Sequence, residues 1–186
     1  MHDRNGHHDR TRRAGFTLIE QIMAVAILAV LVSIAAPSLG SLVSRNRLQT
    51  AQMDYIAGLQ HARATAITHG LPVVFCPSRD GQHCEATPVW ENGWLLGEDR
   101  NGDNQPDHRA LFTGPAVASP LHVRSSAGRY RVRFHPDGSA AGTNLTLTLC
   151  LAGKPEQSLS VVVSNAGRIR GDTPSAAQST ACARDD

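Results

Sequence analysis

Aromatic side chains are scarce, at 4% of 186 residues. Gly and Pro are frequent beyond residue 70, which favours short strands and many turns. No Ser/His/Asp or Cys/His arrangement is suggested: His61, His69, His83, His108, His122 and His135 are scattered. The sequence therefore reads as non-enzymatic, with no cofactor expected. Cys-x-x-Cys and paired His at ligand spacing are also missing, which argues against zinc, the rival reading of the four cysteines. Finally, no small-residue cleavage site follows the long apolar run near the N-terminus, so an ordinary secretory signal is excluded.

The run itself, residues 16–36, carries one charge, Glu20. As a helix it would be about 30 Å long, one bilayer hydrocarbon thickness. Arg4, Arg10, Arg12 and Arg13 precede it, which places the N-terminus in the cytoplasm and the bulk of the chain across the membrane. The only plausible cleavage site, Gly15-Phe16, lies before the run, so a cut there would leave the helix on the mature chain. Glu20 is costly in lipid unless neutralised. The amino group created on Phe16 could pair with Glu20 of a neighbouring subunit; an ordinary signal anchor is the alternative. Ala24, Ala26, Ala29, Ser33, Ala35 and Ala36 would allow close helix packing in lipid, and Pro37 should kink or locally open the helix.

Loss of residues 1–15, a polar leader whose His2, His7 and His8 would go with it, leaves about 120 residues beyond the helical stalk, enough for one domain. Its charge is polar along the chain. Residues 76–110 hold Arg79, Arg100 and Arg109 against seven acids, while residues 124–170 hold six Arg and Lys154 against Asp137 and Glu156. A basic half can present an anion-binding face that a net charge of +2 conceals. All four cysteines lie beyond the apolar run, as suits an oxidising compartment. Cys76 and Cys84 flank a turn-like loop and form the most economical bridge, which leaves Cys150 with Cys182.

From Ser38 to His69, Leu48, Ala51, Tyr55, Leu59, Ala62 and Ala66 step by three and four, one face of a helix. Gly70 and Pro72 stop it. Strands are expected at Val73–Cys76, Trp90–Leu96, Ala110–Thr113, Leu121–Arg124, Tyr130–Phe134, Leu145–Leu151 and Leu159–Ser164. The expected fold is α+β, a long N-terminal helix packed on an antiparallel sheet domain. Its divisions are leader 1–15, transmembrane and assembly helix 16–42, and globular domain 43–186.

Two loops carry possible chemistry. Asp99, Asn101 and Asp103 alternate as calcium ligands would, but Gly102 and Ala110 depart from the usual loop, and a polar hairpin turn explains the same residues. In Gly167-Arg168-Ile169-Arg170-Gly171, an extended backbone would put both guanidinium groups on one face about 6.6 Å apart. That is close to phosphate spacing along a nucleic-acid strand, and guanidinium forks onto phosphate oxygens. A tight turn with two solvated arginines is the other reading.

Gly15-Phe16-Thr17-Leu18-Ile19-Glu20 with Pro37 resembles the signal of type IV pilins and type II secretion pseudopilins. The resemblance implies cleavage by prepilin peptidase between Gly15 and Phe16, N-methylation of Phe16, and assembly with other major and minor pilins in a step that uses Glu20. Phe75-Cys76-Pro77-Ser78, Cys84, Trp90, Gly93-Trp94-Leu95, Asp99–Asp103, Phe134-x-Pro136-x-Gly138 and the late Gly-Arg-Ile-Arg are similar to the FimT/GspH group of minor pilins. FimT-type members imply double-stranded DNA binding at the pilus during natural transformation, which falls here on Gly167, Arg168 and Arg170. Lys154, Arg129, Arg131 and Arg133 would join if their strands shared that face. GspH-type secretion pseudopilins, or a minor pilin that only primes assembly, are the alternatives.

Overall fold

The computed structural model describes residues 17–184, without the side chains of residues 34–38. The leader and the Gly15-Phe16 junction lie outside the described residues. Two compact units are present, Met1–Leu42 and Val43–Asp186.

Helix α1 (Leu18–His69) starts where Thr17 can cap it. The Thr17 hydroxyl oxygen accepts from the Glu20 amide at 3.4 Å and its carbonyl from Gln21 at 3.2 Å. Glu20 thus sits in the first turn, where a carboxylate meets the positive end of the helix dipole. The helix continues through position 37 instead of opening there. A proline removes one backbone donor, and the turns on either side of it hold. Every large apolar side chain from Leu18 to Val32 is exposed, from 80% at Leu18 to 58% at Leu31. Among the described residues no helix is long and apolar enough to cross a membrane.

In the second unit the six residues of the periodic stripe, Leu48 to Ala66, are all buried. Eight strands follow. β1 (Val73–Pro77), β2 (Trp94–Glu98), β3 (Phe112–Gly114) and β5 (Val132–Phe134) make one antiparallel sheet in the order β3-β2-β1-β5. β4 (Leu121–Ser125), β6 (Leu145–Leu151), β7 (Lys154–Val163) and β8 (Ile169–Asp172) make a second, in the order β4-β6-β7-β8. Residues from both sheets and the helical stripe form one core. Each fully buried Leu, Val or Phe in it stabilises the fold by about 1.5–3 kcal/mol. Tyr55 is almost wholly inside this core and donates to the Trp90 carbonyl at 2.6 Å. Burial pushes the phenol well above its ordinary pKa, so it remains a donor.

The strands divide between two sheets, because β4, β6 and β7 pair with one another and not with β1. One strand expectation needs correction. Trp90 precedes β2 instead of opening it, and its ring is buried against Phe75 and Tyr55. The Ser/Ala-rich tail is a helix, α2 (Ala176–Ala183), capped reciprocally by Ser175 and Gln178. Both expected disulfides are formed, Cys76–Cys84 and Cys150–Cys182, and the second fastens α2 to β6.

Candidate nucleic-acid interface

The Gly-Arg-Ile-Arg segment builds a hairpin with β7. The Gly167 amide donates to the Ser164 carbonyl at 2.8 Å, and the Ser164 amide to the Arg168 carbonyl at 3.0 Å. The Ser164 side-chain oxygen also takes the Arg168 amide, at 3.1 Å. A three-residue connection of this kind ends on a residue in the left-handed region, and Gly167 has φ +73°. Space at Gly167 is equally restricted. A Cβ there would stand 1.9 Å from the Gly138 carbonyl oxygen.

Gly138 belongs to a second turn, residues 135–139, where the His135 amide donates to the Ser139 carbonyl at 2.8 Å. The two turns interlock: the Ala140 amide donates to the Asn165 carbonyl at 2.9 Å, and Arg63 of α1 donates through Nε to the Gly138 carbonyl at 2.9 Å. Phe134-x-Pro136-x-Gly138 and Gly167-Arg168 are thus parts of one structural joint. Arg63, which sequence reasoning did not select, braces it. Its position on α1 carries no signal for that role, because the contact is made 75 residues away.

Beyond the turn, β8 runs antiparallel to β7, pairing Val163 with Ile169 and Ser160 with Asp172. Ile169 packs on the main core. Gly171 faces Gln52 of α1, whose Nε2 would lie 2.9 Å from a Cβ at that position and donates to the Ser160 carbonyl. Strand alternation therefore turns Arg168, Arg170 and Asp172 to the opposite, outward face. All three are exposed. The Arg168 guanidinium has no hydrogen-bond or ionic partner among the described residues. Arg170 places Nε at 3.2 Å and Nη2 at 2.8 Å from one Asp172 oxygen. The hydrogen bond from Arg170, and then that from the Thr173 amide, hold the Asp172 carboxyl below the usual carboxylate range.

The remaining basic residues do not assemble here. Lys154 opens β7, opposite Leu151, at the far end from the hairpin. Val163 is nine positions further on, about 30 Å along an extended strand. Arg133 stands on the first sheet and is engaged: Nη2 donates to the Asp99 carbonyl at 2.8 Å, and Nη1 lies 3.4 Å from the Asp99 carboxylate. Arg124 pairs with Glu91, and Arg129 donates to the Gly142 carbonyl at 2.7 Å. Arg131 is partly exposed and unpaired among the described residues, but it precedes β5 on the first sheet. Only Arg168 and Arg170 of the expected cations share a face.

The Asp99–Asp107 loop is a self-bonded turn. Asp99 accepts from the Gly102 amide, Asn101 from Asp103, Asp103 from Gln105, and Asp107 from Arg100. Among the described residues no group of three or more His, Cys, Asp or Glu is gathered to hold a metal.

Residues 51–167 match the family model described as type II transport protein GspH. The chain belongs to the GspH family. Residues 10–36 match the prokaryotic N-terminal methylation motif. Among solved structures, the type IV minor pilin FimU of Pseudomonas aeruginosa is similar over 73% of this chain and 94% of its own, with a TM-score of 0.58 and 22% identity. The minor pseudopilin EpsH of the Vibrio cholerae type 2 secretion system is similar over 69% of this chain and 98% of its own, with a TM-score of 0.50 and 14% identity. No curated protein sequence matches. The fold is that of type IV pilins, and this GspH-family chain is a minor pilin or pseudopilin of a type IV pilus or type II secretion filament. Such subunits are structural proteins that are membrane-anchored, enter a filament and contact other pilins. The family match ends at Gly167, one residue before the arginine pair.

Proposed function

We propose that this chain is a FimT-like minor type IV pilin that binds double-stranded DNA at the pilus for uptake in natural transformation. The reading rests on one observation, the exposed side chains of Arg170 on β8 and of Arg168 immediately before that strand. Two cations on one strand face engage phosphate and read no base edge, so binding is weak and tolerant of sequence. Arg168 and Arg170 are the contacts. Arg131, Lys154 and Arg133 have no part in it.

In this account prepilin peptidase removes residues 1–15 and Phe16 is methylated. Residues 16–42 hold the protein in inner-membrane lipid, single-pass, with a cytoplasmic N-terminus and the domain 43–186 in the periplasm. The subunit then moves to the cell-surface pilus. The exposed apolar face from Leu18 to Val32 supports this, since it needs lipid or neighbouring helices to cover it. Glu20→Ala removes the charge partner of the Phe16 amine without reducing apolarity. We expect the variant to insert in the membrane normally and to be lost from sheared filaments on immunoblots. Wild-type incorporation would contradict the pairing.

The phosphate reading is tested by salt. With between one and two phosphates neutralised, the affinity of the full chain in non-ionic detergent for a fluorescent duplex should fall by about three- to tenfold between 50 and 200 mM salt. A flat dependence would refute phosphate contact. The rival, a purely structural minor pilin or GspH-type pseudopilin, is favoured by the family match stopping short of Arg168. It would leave DNA unbound at any salt.

A further inference from the structure

The outward face of β8 carries a third charged group that the DNA reading does not use. Asp172 lies two residues beyond Arg170 on the same strand face and occupies its guanidinium fork: both Nε, at 3.2 Å, and Nη2, at 2.8 Å, point to a single oxygen, Oδ2. A phosphate would need the same Nε and Nη2 donors for its two-pronged contact. The other oxygen, Oδ1, is held by the Thr173 amide at 2.9 Å, which orients the carboxylate. Arg168, on the same face, has no such partner among the described residues. The two arginines are therefore unequal: one is ready for an anion and the other already holds one.

Resting on the DNA reading above, we infer that Asp172 is a built-in competitor for the phosphate that Arg170 would bind, and so sets DNA affinity low. The pair is exposed on both sides, 45% and 43%, so solvent screens it and an incoming phosphate can displace the carboxylate. Displacement still leaves a negative charge beside the bound phosphate. Asp172 thus weakens the complex twice, by occupying the fork before binding and by repulsion after it. A subunit that hands DNA onward gains from such a contact, because tight retention would oppose release.

The test is a fluorescence-anisotropy titration of the full chain in non-ionic detergent with a short duplex at low salt. Asp172→Asn keeps the size of the side chain and removes its charge. It should bind roughly threefold tighter or more, given the modest strength of an exposed pair. Its salt slope should steepen by up to about 0.9, since Arg170 then neutralises a phosphate fully. Asp172→Glu retains the charge and should stay near wild type. Equal or weaker binding by Asp172→Asn, with Arg168→Gln/Arg170→Gln still impaired, would overturn the competitor role while leaving the DNA reading intact. If wild type does not bind, or binds no better than Arg168→Gln/Arg170→Gln, the DNA reading itself falls.

Discussion

Gly167→Ala lowers the melting temperature of the protein by about 6–12 °C and weakens DNA binding at the same time. The conformational part of this is modest: a residue at φ +73° that acquires a Cβ loses on the order of 1 kcal/mol. The steric part is larger, because the new methyl would sit 1.9 Å from the Gly138 carbonyl oxygen. That oxygen cannot simply withdraw, since Arg63 holds it at 2.9 Å and the adjoining turn is tied to Asn165. Together the two effects should cost about 3 kcal/mol, in the range of severe single-site lesions. For a chain of this size that corresponds to the stated shift. Gly153→Ala supplies the control. It has φ +69° but nothing within 4 Å of its Cβ position, so only the conformational part applies and the shift should be about 2–4 °C. Thermal melts followed by near-ultraviolet circular dichroism separate the two. Equal shifts would show that the interlock of the two turns is unimportant.

How much of this was legible depended on the kind of signal. The helical stripe from Leu48 to Ala66 was readable because burial on one face enforces a period, and all six residues are in the core. The disulfides followed from spacing. By contrast α2 has no large apolar residues and is held by Cys182; its sequence signal was the Ser175-x-x-Gln178 capping box. β8 was obscured because two arginines and a glycine replace the usual apolar alternation, and Gly171 is explained only by Gln52.

Around Arg168 and Arg170 the charge pattern of the sequence is misleading. Summing charge over residues 124–170 treats them as one face, whereas strand order distributes them over two sheets. Arg124 and Arg133 are consumed by Glu91 and Asp99, acids from the other half of the chain. Much of the apparent charge polarity is therefore internal pairing. Asp172 was within reach of the sequence, since residues two apart on a strand share a face.

Replacing both Arg168 and Arg170 with Gln should have the largest effect on binding. Both side chains are exposed, so the fold should persist with an unchanged melting temperature. Removing two phosphate contacts should reduce affinity at low salt by at least about tenfold, while Arg→Lys at both positions should recover part of it, as a point charge cannot make the two-pronged contact. The most direct measurement is a gel-shift titration of duplex DNA at low salt with wild type and the Arg168→Gln/Arg170→Gln variant, each as the full chain in non-ionic detergent. The account predicts a shifted complex for wild type and almost none for the variant; equal affinities would contradict it.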